Sequence, residues 1–234
     1  ITIDDADRSV YELAWPLLAE YGVQAHLFVP TSRVGRKWSG IELCSWAEMA
    51  EMAASGTIVL GSHTHDLHFK VMTANGRRPV FWTPEEIPGD QVAAARATLA
   101  ELDQRTGRDA PPLDGDPVLL DLALSRRLVE RHTRTDCRWL AWPYGFGSGA
   151  LDSLAARAGY QGTLSLRPTT LDATAPEWHI GRFTLTAKTT PGDIAAASAH
   201  AERVVLFHFA NPALERDLVE ISGDDASDRA IEMA

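Results

Sequence analysis

Apolar runs that end in polar residues alternate with helix-patterned segments along almost the whole chain, and this alternation most limits what the chain can fold into. "ITI" at 1–3 reads as the end of a buried strand. Residues 8–22 carry Val10, Leu13, Ala14, Leu17, Leu18 and Tyr21 at helical spacing, and Gly22 is placed to cap that helix. Pro16 inside the pattern predicts a kink, or a helix that begins beside it. "QAHLFVP" at 24–30 is the next strand. Ser45 with Glu48 three positions on forms a capping box for a helix ending at Gly56. "TIVLGS" at 57–62 is a strand, a long helix runs from near Asp90 to Gly107, and 110–117 is loop. A helix over 118–133, a strand at 138–143, a helix and strand within 149–166, and strands in "GRFTLT" and "RVVLFHF" complete the order. Strands that keep alternating with helices build βαβ units and a parallel sheet. The expected class is therefore α/β, close to a (β/α) barrel with one or two members missing. At 234 residues a single domain over 1–234 is expected, with about 214–234 as a peripheral helix or loose tail.

Composition removes several function classes. The net charge of −10 argues against a nucleic-acid partner, which needs a basic face. No run of 18 apolar residues is present, so no transmembrane segment is expected. Cys44 and Cys137 lack the spacing of a metal or redox pair; two buried thiols are expected, with a bridge as the alternative. The chain opens on Ile1 in the middle of a motif, which reads as a fragment of something longer.

Polar residues with chemical potential sit where strands end. Asp4 and Asp5 follow the first strand, His63 and His68 the third, Pro143, Tyr144 and Gly145 the fourth, and His208 closes the last. In parallel α/β folds that end of the sheet is the active-site face. "SHTHDLH" holds three of the eight histidines, and imidazole with carboxylate is a zinc donor set. Asp5, His63 and His68 are the candidate metal ligands, with His65 competing for the place of His68. Adjacent residues leaving a strand point opposite ways, so Asp4 remains free to act as a general base. Asp66 reads as a loop residue with an orienting role for an imidazole as the alternative, Asp7 as a helix cap, and His179 as a surface residue.

Taken in order, "TIDDAD", "SHTHDLH", "RWLAWPYG" and "VLFHF" resemble the motifs of the polysaccharide deacetylase family, the NodB-homology or carbohydrate esterase family 4 domain. The resemblance runs over residues 2–208, and the span from His63 to His68 is most similar to the subgroup that deacetylates poly-β-1,6-N-acetylglucosamine. It implies a distorted (β/α)7 barrel and one divalent ion, Zn²⁺ first, with Co²⁺, Ni²⁺ or Fe²⁺ as alternatives. It implies Asp4 as catalytic base, Asp5, His63 and His68 as metal ligands, and Arg138 as the arginine that orients the base. Tyr144 matches the backbone N–H donor to the oxyanion, and His208 the acid that protonates the leaving amine. The sequence departs from the pattern at Ala6, where the family has glycine, and at Phe209, where an aspartate usually follows the histidine. Arg182 in "HIGRF" is a short match to a basic residue of the fourth motif.

The expected substrate is an N-acetylated polysaccharide or oligosaccharide, met outside the cytoplasm. Trp38, Trp82 and Phe146 are candidates to stack on sugar rings, with Pro143 beside them, whereas Trp46 and Trp139 read as core. The basic loop 32–38 reads as solvated, with substrate contact as the alternative. Rival functions are hydrolysis of a peptidoglycan, chitin or non-sugar amide, and a catalytically silent carbohydrate-binding module that keeps the ion.

Overall fold

Seven parallel strands form one curled sheet in the computed structural model, which describes residues 1–106, 115–167, 178–186, 188–190 and 207–209. In chain order the strands are β1 (Thr2–Ile3), β2 (Ala25–Val29), β3 (Lys37–Trp38), β4 (Ile41–Glu42), β5 (Ile58–Ser62), β6 (Lys70–Thr73), β7 (Gly76–Pro79), β8 (Trp139–Ala141), β9 (Gly162–Leu164), β10 (Phe183–Leu185) and β11 (Phe207–Phe209). The main sheet has the order β10-β11-β1-β2-β5-β8-β9. A parallel bridge from Leu164 to Ile180 lays the chain just before β10 against β9, the opposite edge, so the sheet curls almost onto itself. The expected α/β class forms, and the distorted (β/α)7 barrel takes the shape of a curled seven-stranded half-barrel.

The helices are α1 (Trp15–Tyr21), α2 (Trp46–Ala54), α3 (Gly89–Thr106), α4 (Pro117–Thr133) and α5 (Gly149–Arg157). Pro16 falls in the first turn of α1, where its missing N–H costs nothing, and a π-helical turn over Val10–Ala14 precedes it. Gly22 ends α1 in the left-handed region, φ 66°. Leu13 points out, 52% exposed, because the π turn rotates it off the apolar face that regular helical spacing predicts. The capping box of Ser45 and Glu48 starts α2, and Asp116 caps α4 through the N–H groups of Val118 and Leu119. α4 packs against α2, α3, α5 and β5, and buries both faces of its first two turns. Gly61 in β5 is a forced glycine: a Cβ there would lie 2.5 Å from the Phe28 ring and 3.0 Å from the Trp139 carbonyl. Cys44 and Cys137 are both buried free thiols.

Two small antiparallel hairpins, β3–β4 and β6–β7, stand outside this sheet. They carry no clear apolar alternation, so periodicity does not reveal them. Residues 214–234 lie outside the described residues. No helix among the described residues is long and apolar enough to cross a membrane.

Candidate metal centre and active site

The C-terminal ends of β1, β5 and β8 deliver the site. Each does so through a non-glycine residue in the left-handed region: Asp5 (φ 70°), Thr64 (φ 71°) and Tyr144 (φ 60°). Such backbones cost about 1–2 kcal/mol each and persist where the surroundings enforce them. Ala6 also has φ 52°, so the position where the related motif has glycine does require glycine-like geometry, and alanine bears the strain.

Asp5, His63 and His68 converge, with one donor atom from each lying within 4.8 Å of the others. Asp5 Oδ1 is 3.6 Å from His63 Nε2 and 3.5 Å from His68 Nε2. These contacts are long for hydrogen bonds, but they match two ligands sharing an ion. Two donors each about 2.0–2.1 Å from a tetrahedral zinc are roughly 3.3–3.5 Å apart. His63 Nδ1 lies 2.7 Å from the Ala141 carbonyl. Only a protonated Nδ1 can donate there, and in the neutral imidazole that tautomer makes Nε2, on the Asp5 side, the atom free to hold an ion. Burial pushes His68 down to about 3, with the neighbouring His63 adding to the effect, so its imidazole is neutral at any working pH. The donor set and its protonation therefore fit a divalent ion.

His65 does not join them. Its Nδ1 meets Thr31 Oγ1 at 2.9 Å, and burial lowers its pKa to about 4. The loop is held from below by Asp121, which accepts the N–H of His65 at 2.7 Å and of Asp66 at 2.8 Å. Burial pushes Asp121 up to about 7 against those two donors. Asp66 accepts from Ser32 (3.0 Å) and Arg33 (2.6 Å), which ties the basic loop 32–38 to the histidine loop.

Asp4 is buried beside the triad, its Oδ2 3.8 Å from His63 Nε2. The arginine that holds it is not Arg138. Arg138 is half-exposed at the start of β8 and pairs with exposed Asp136 at 2.9 Å, two residues away. Arg182, fully buried, grips Asp4 with both terminal nitrogens, Nη1 to Oδ1 at 2.8 Å and Nη2 to Oδ2 at 3.0 Å. Its Nε donates to the Ser165 carbonyl at 2.9 Å. Arg138 enters β8 at the end of the sheet away from the site, whereas Arg182 leaves the segment that crosses the seam. The signal for Arg182 was a single basic residue in an apolar run.

Tyr144 lies in a 3-10 turn over Pro143–Gly145, where the first N–H groups have no partner within the turn. Its ring is 4.6 Å from that of His68, and Trp38 also meets His68 edge-on at 4.8 Å. Trp82 and Phe146 are exposed and pack on one another, the Trp82 indole donating to the Phe146 carbonyl at 3.0 Å. Pro143 is buried, so it shapes the turn and does not line a groove. His179 is not loose on the surface: its Nδ1 is 3.0 Å from buried Asp152. Asp7 accepts the Ser9 N–H at 2.8 Å, in keeping with a capping role. His208 is known by register alone, its Cα paired with Thr2 on one side and Thr184 on the other.

Fold and site together define a parallel half-barrel with an Asp-His-His centre at its strand ends. The sequence profile described as polysaccharide deacetylase matches residues 1–163, and the chain belongs to that family. The poly-beta-1,6-N-acetyl-D-glucosamine N-deacetylase of Staphylococcus aureus is 23% identical over 184 residues, covering 78% of this chain. The chain spans about half, 52%, of that relative's length. Among solved structures, IcaB from Ammonifex degensii is 30% identical with a TM-score of 0.60, covering 84% of this chain and 71% of that one. The BpsB deacetylase domain from Bordetella bronchiseptica is 28% identical with a TM-score of 0.59, covering 77% and 68%. A second profile, 3-hydroxyacyl-CoA dehydrogenase, NAD binding domain, matches residues 170–234, a span that includes His208. Its only glycines are Gly181, Gly192 and Gly223, so no G-x-G-x-x-G turn for a dinucleotide is present in it.

Proposed function

We propose that this chain is a metal-dependent deacetylase that hydrolyses N-acetyl groups on an amino-sugar polymer of the poly-β-1,6-N-acetylglucosamine kind, outside the cytoplasm. The observation that carries the reading is the convergence of Asp5, His63 and His68 beside a buried Asp4–Arg182 pair at the strand ends.

Asp5, His63 and His68 hold the ion, most simply Zn²⁺, with Co²⁺, Ni²⁺ or Fe²⁺ sharing the same donor preferences. A bound ion supplies carbonyl polarisation and a water acidic enough to ionise near pH 7. Asp4 takes the proton of the attacking water, kept anionic by the two-pronged Arg182 contact. The Tyr144 N–H faces the oxyanion that forms as the acetyl carbon becomes tetrahedral; one such donor is worth roughly 3 kcal/mol in barrier. His208, two strand positions before the level of Asp4, gives its proton to the nitrogen as the C–N bond breaks. Acetate and a free amine leave. Trp38 walls the site beside His68, and Trp82 with Phe146 offers faces on which sugar rings stack.

The test is acetate release from β-1,6- and β-1,4-linked N-acetylglucosamine oligomers by chelator-stripped protein, with and without added Zn²⁺, beside Asp4→Asn. Zinc-dependent release, faster on the β-1,6 series and lost in Asp4→Asn, is expected. Stoichiometric zinc binding with no release from either series would overturn the sugar-polymer reading.

A further inference from the structure

The β6–β7 hairpin brings cations to the site in a chain that is otherwise acidic. Lys70 Nζ stands 4.1 Å from the centre of the Tyr144 ring and 5.6 Å from that of Phe146. Arg78 lies over Trp82 at 5.9 Å. Arg77 sits beside Arg78 in β7, its Cα paired with Met72 across the hairpin. Among the described residues, none of Lys70, Arg77 and Arg78 has a carboxylate within 4.0 Å, although the chain carries an excess of ten acidic groups. The aromatic faces that would take sugar rings thus have positive charge resting on them.

The reaction read above turns a neutral acetamide into an ammonium at each turnover. We propose that the β6–β7 hairpin is a charge filter: Lys70, with Arg77 and Arg78, disfavours binding of polymer in which a sugar next to the target already bears a free amine. The enzyme then leaves amines spaced along the chain and releases its product instead of working through a continuous block. This rests on the deacetylase reading. The repulsion is a few ångströms to about ten in range, is screened by salt, and vanishes when the sugar amine is neutral.

The experiment compares two defined β-1,6 oligomers, one fully acetylated and one with a single glucosamine beside the target unit. It reads the ratio of their kcat/KM values within each protein, so loss of overall activity in a variant does not affect the result. For the unaltered protein near pH 6 at low salt, the fully acetylated oligomer is favoured by roughly three- to tenfold. The ratio falls toward one in Lys70→Gln, further in Lys70→Gln/Arg77→Gln/Arg78→Gln, and also at high salt or above the amine pKa; Lys70→Arg keeps it. A ratio that is the same in the unaltered protein and the triple variant refutes the filter. If the triple variant fails to fold, Lys70→Gln and the salt series decide the question alone. Acetate from neither oligomer would refute the deacetylase reading itself, a result distinct from an unchanged ratio.

Discussion

Replacing Arg182 with methionine keeps most of the side-chain volume and removes the charge from a site with no solvent exposure. Asp4, also buried, is left without its two charge-assisted hydrogen bonds of 2.8 and 3.0 Å. Breaking one side of a buried ion pair costs about 3–5 kcal/mol, because the remaining charge loses its counter-ion where water cannot replace it. For a chain of this size each kcal/mol moves the melting temperature by about 2–4 °C, so Arg182→Met should melt roughly 6–20 °C lower. Activity should also shift in a specific way. Without the cation the protonated form of Asp4 is favoured, so the acid limb of the kcat/KM profile moves to higher pH. Arg182→Lys should recover part of both effects, since a lysine keeps the charge but cannot hold both oxygens. Arg138→Met is the control: its pair with Asp136 is exposed and should contribute under about 0.5 kcal/mol. Differential scanning calorimetry and a pH–rate series read both variants. Should Arg182→Met melt within a degree or two of the parent with an unmoved acid limb, or Arg138→Met suffer instead, the assignment of the base's partner is wrong.

Asp121→Asn should weaken zinc binding by roughly 10–100-fold in a chelator competition, because an amide cannot accept from both the His65 and Asp66 N–H groups. The same variant tests a pH effect. The folded-state pKa of Asp121 is raised to about 7 from an unfolded value near 4, so its contribution is full below about pH 4 and is lost as pH rises through 7. Denaturant titrations of stripped protein should show that loss, at most roughly 4 kcal/mol, and Asp121→Asn should lack it. Ala6→Gly should raise stability by about 0.5–1 kcal/mol through relief of the positive φ, read from the denaturation midpoint; a loss would show that the backbone there is not strained.

Much of this architecture was legible in the chain. Apolar β2 and β5, the capping box of α2 and the periodic α4 are local signals, and the structure keeps them. Asp5, His63 and His68 were legible because each follows an apolar strand whose end fixes where the next residue emerges. What failed were pairings set by sheet closure. Nothing near position 4 in the sequence says that Arg182 returns across the seam, whereas Arg138 opens the "RWLAWPYG" motif. Asp121 was hidden inside the continuously buried first half of α4, and its partners are backbone groups 55 and 56 residues away. The β6–β7 hairpin escaped because exposed two-stranded ribbons carry little apolar pattern. The strain at Ala6 is hidden for a related reason: a φ of 52° is a property of the turn, not of the residue type.

The most direct test is a stepwise addition of Zn²⁺ to chelator-stripped protein while acetate release from a β-1,6-linked N-acetylglucosamine oligomer is followed. Release should rise with each addition and reach a plateau at one ion per chain, and His68→Ala should stay flat throughout. Stripped protein as active as the loaded form, or His68→Ala matching the parent curve, would contradict the metal assignment.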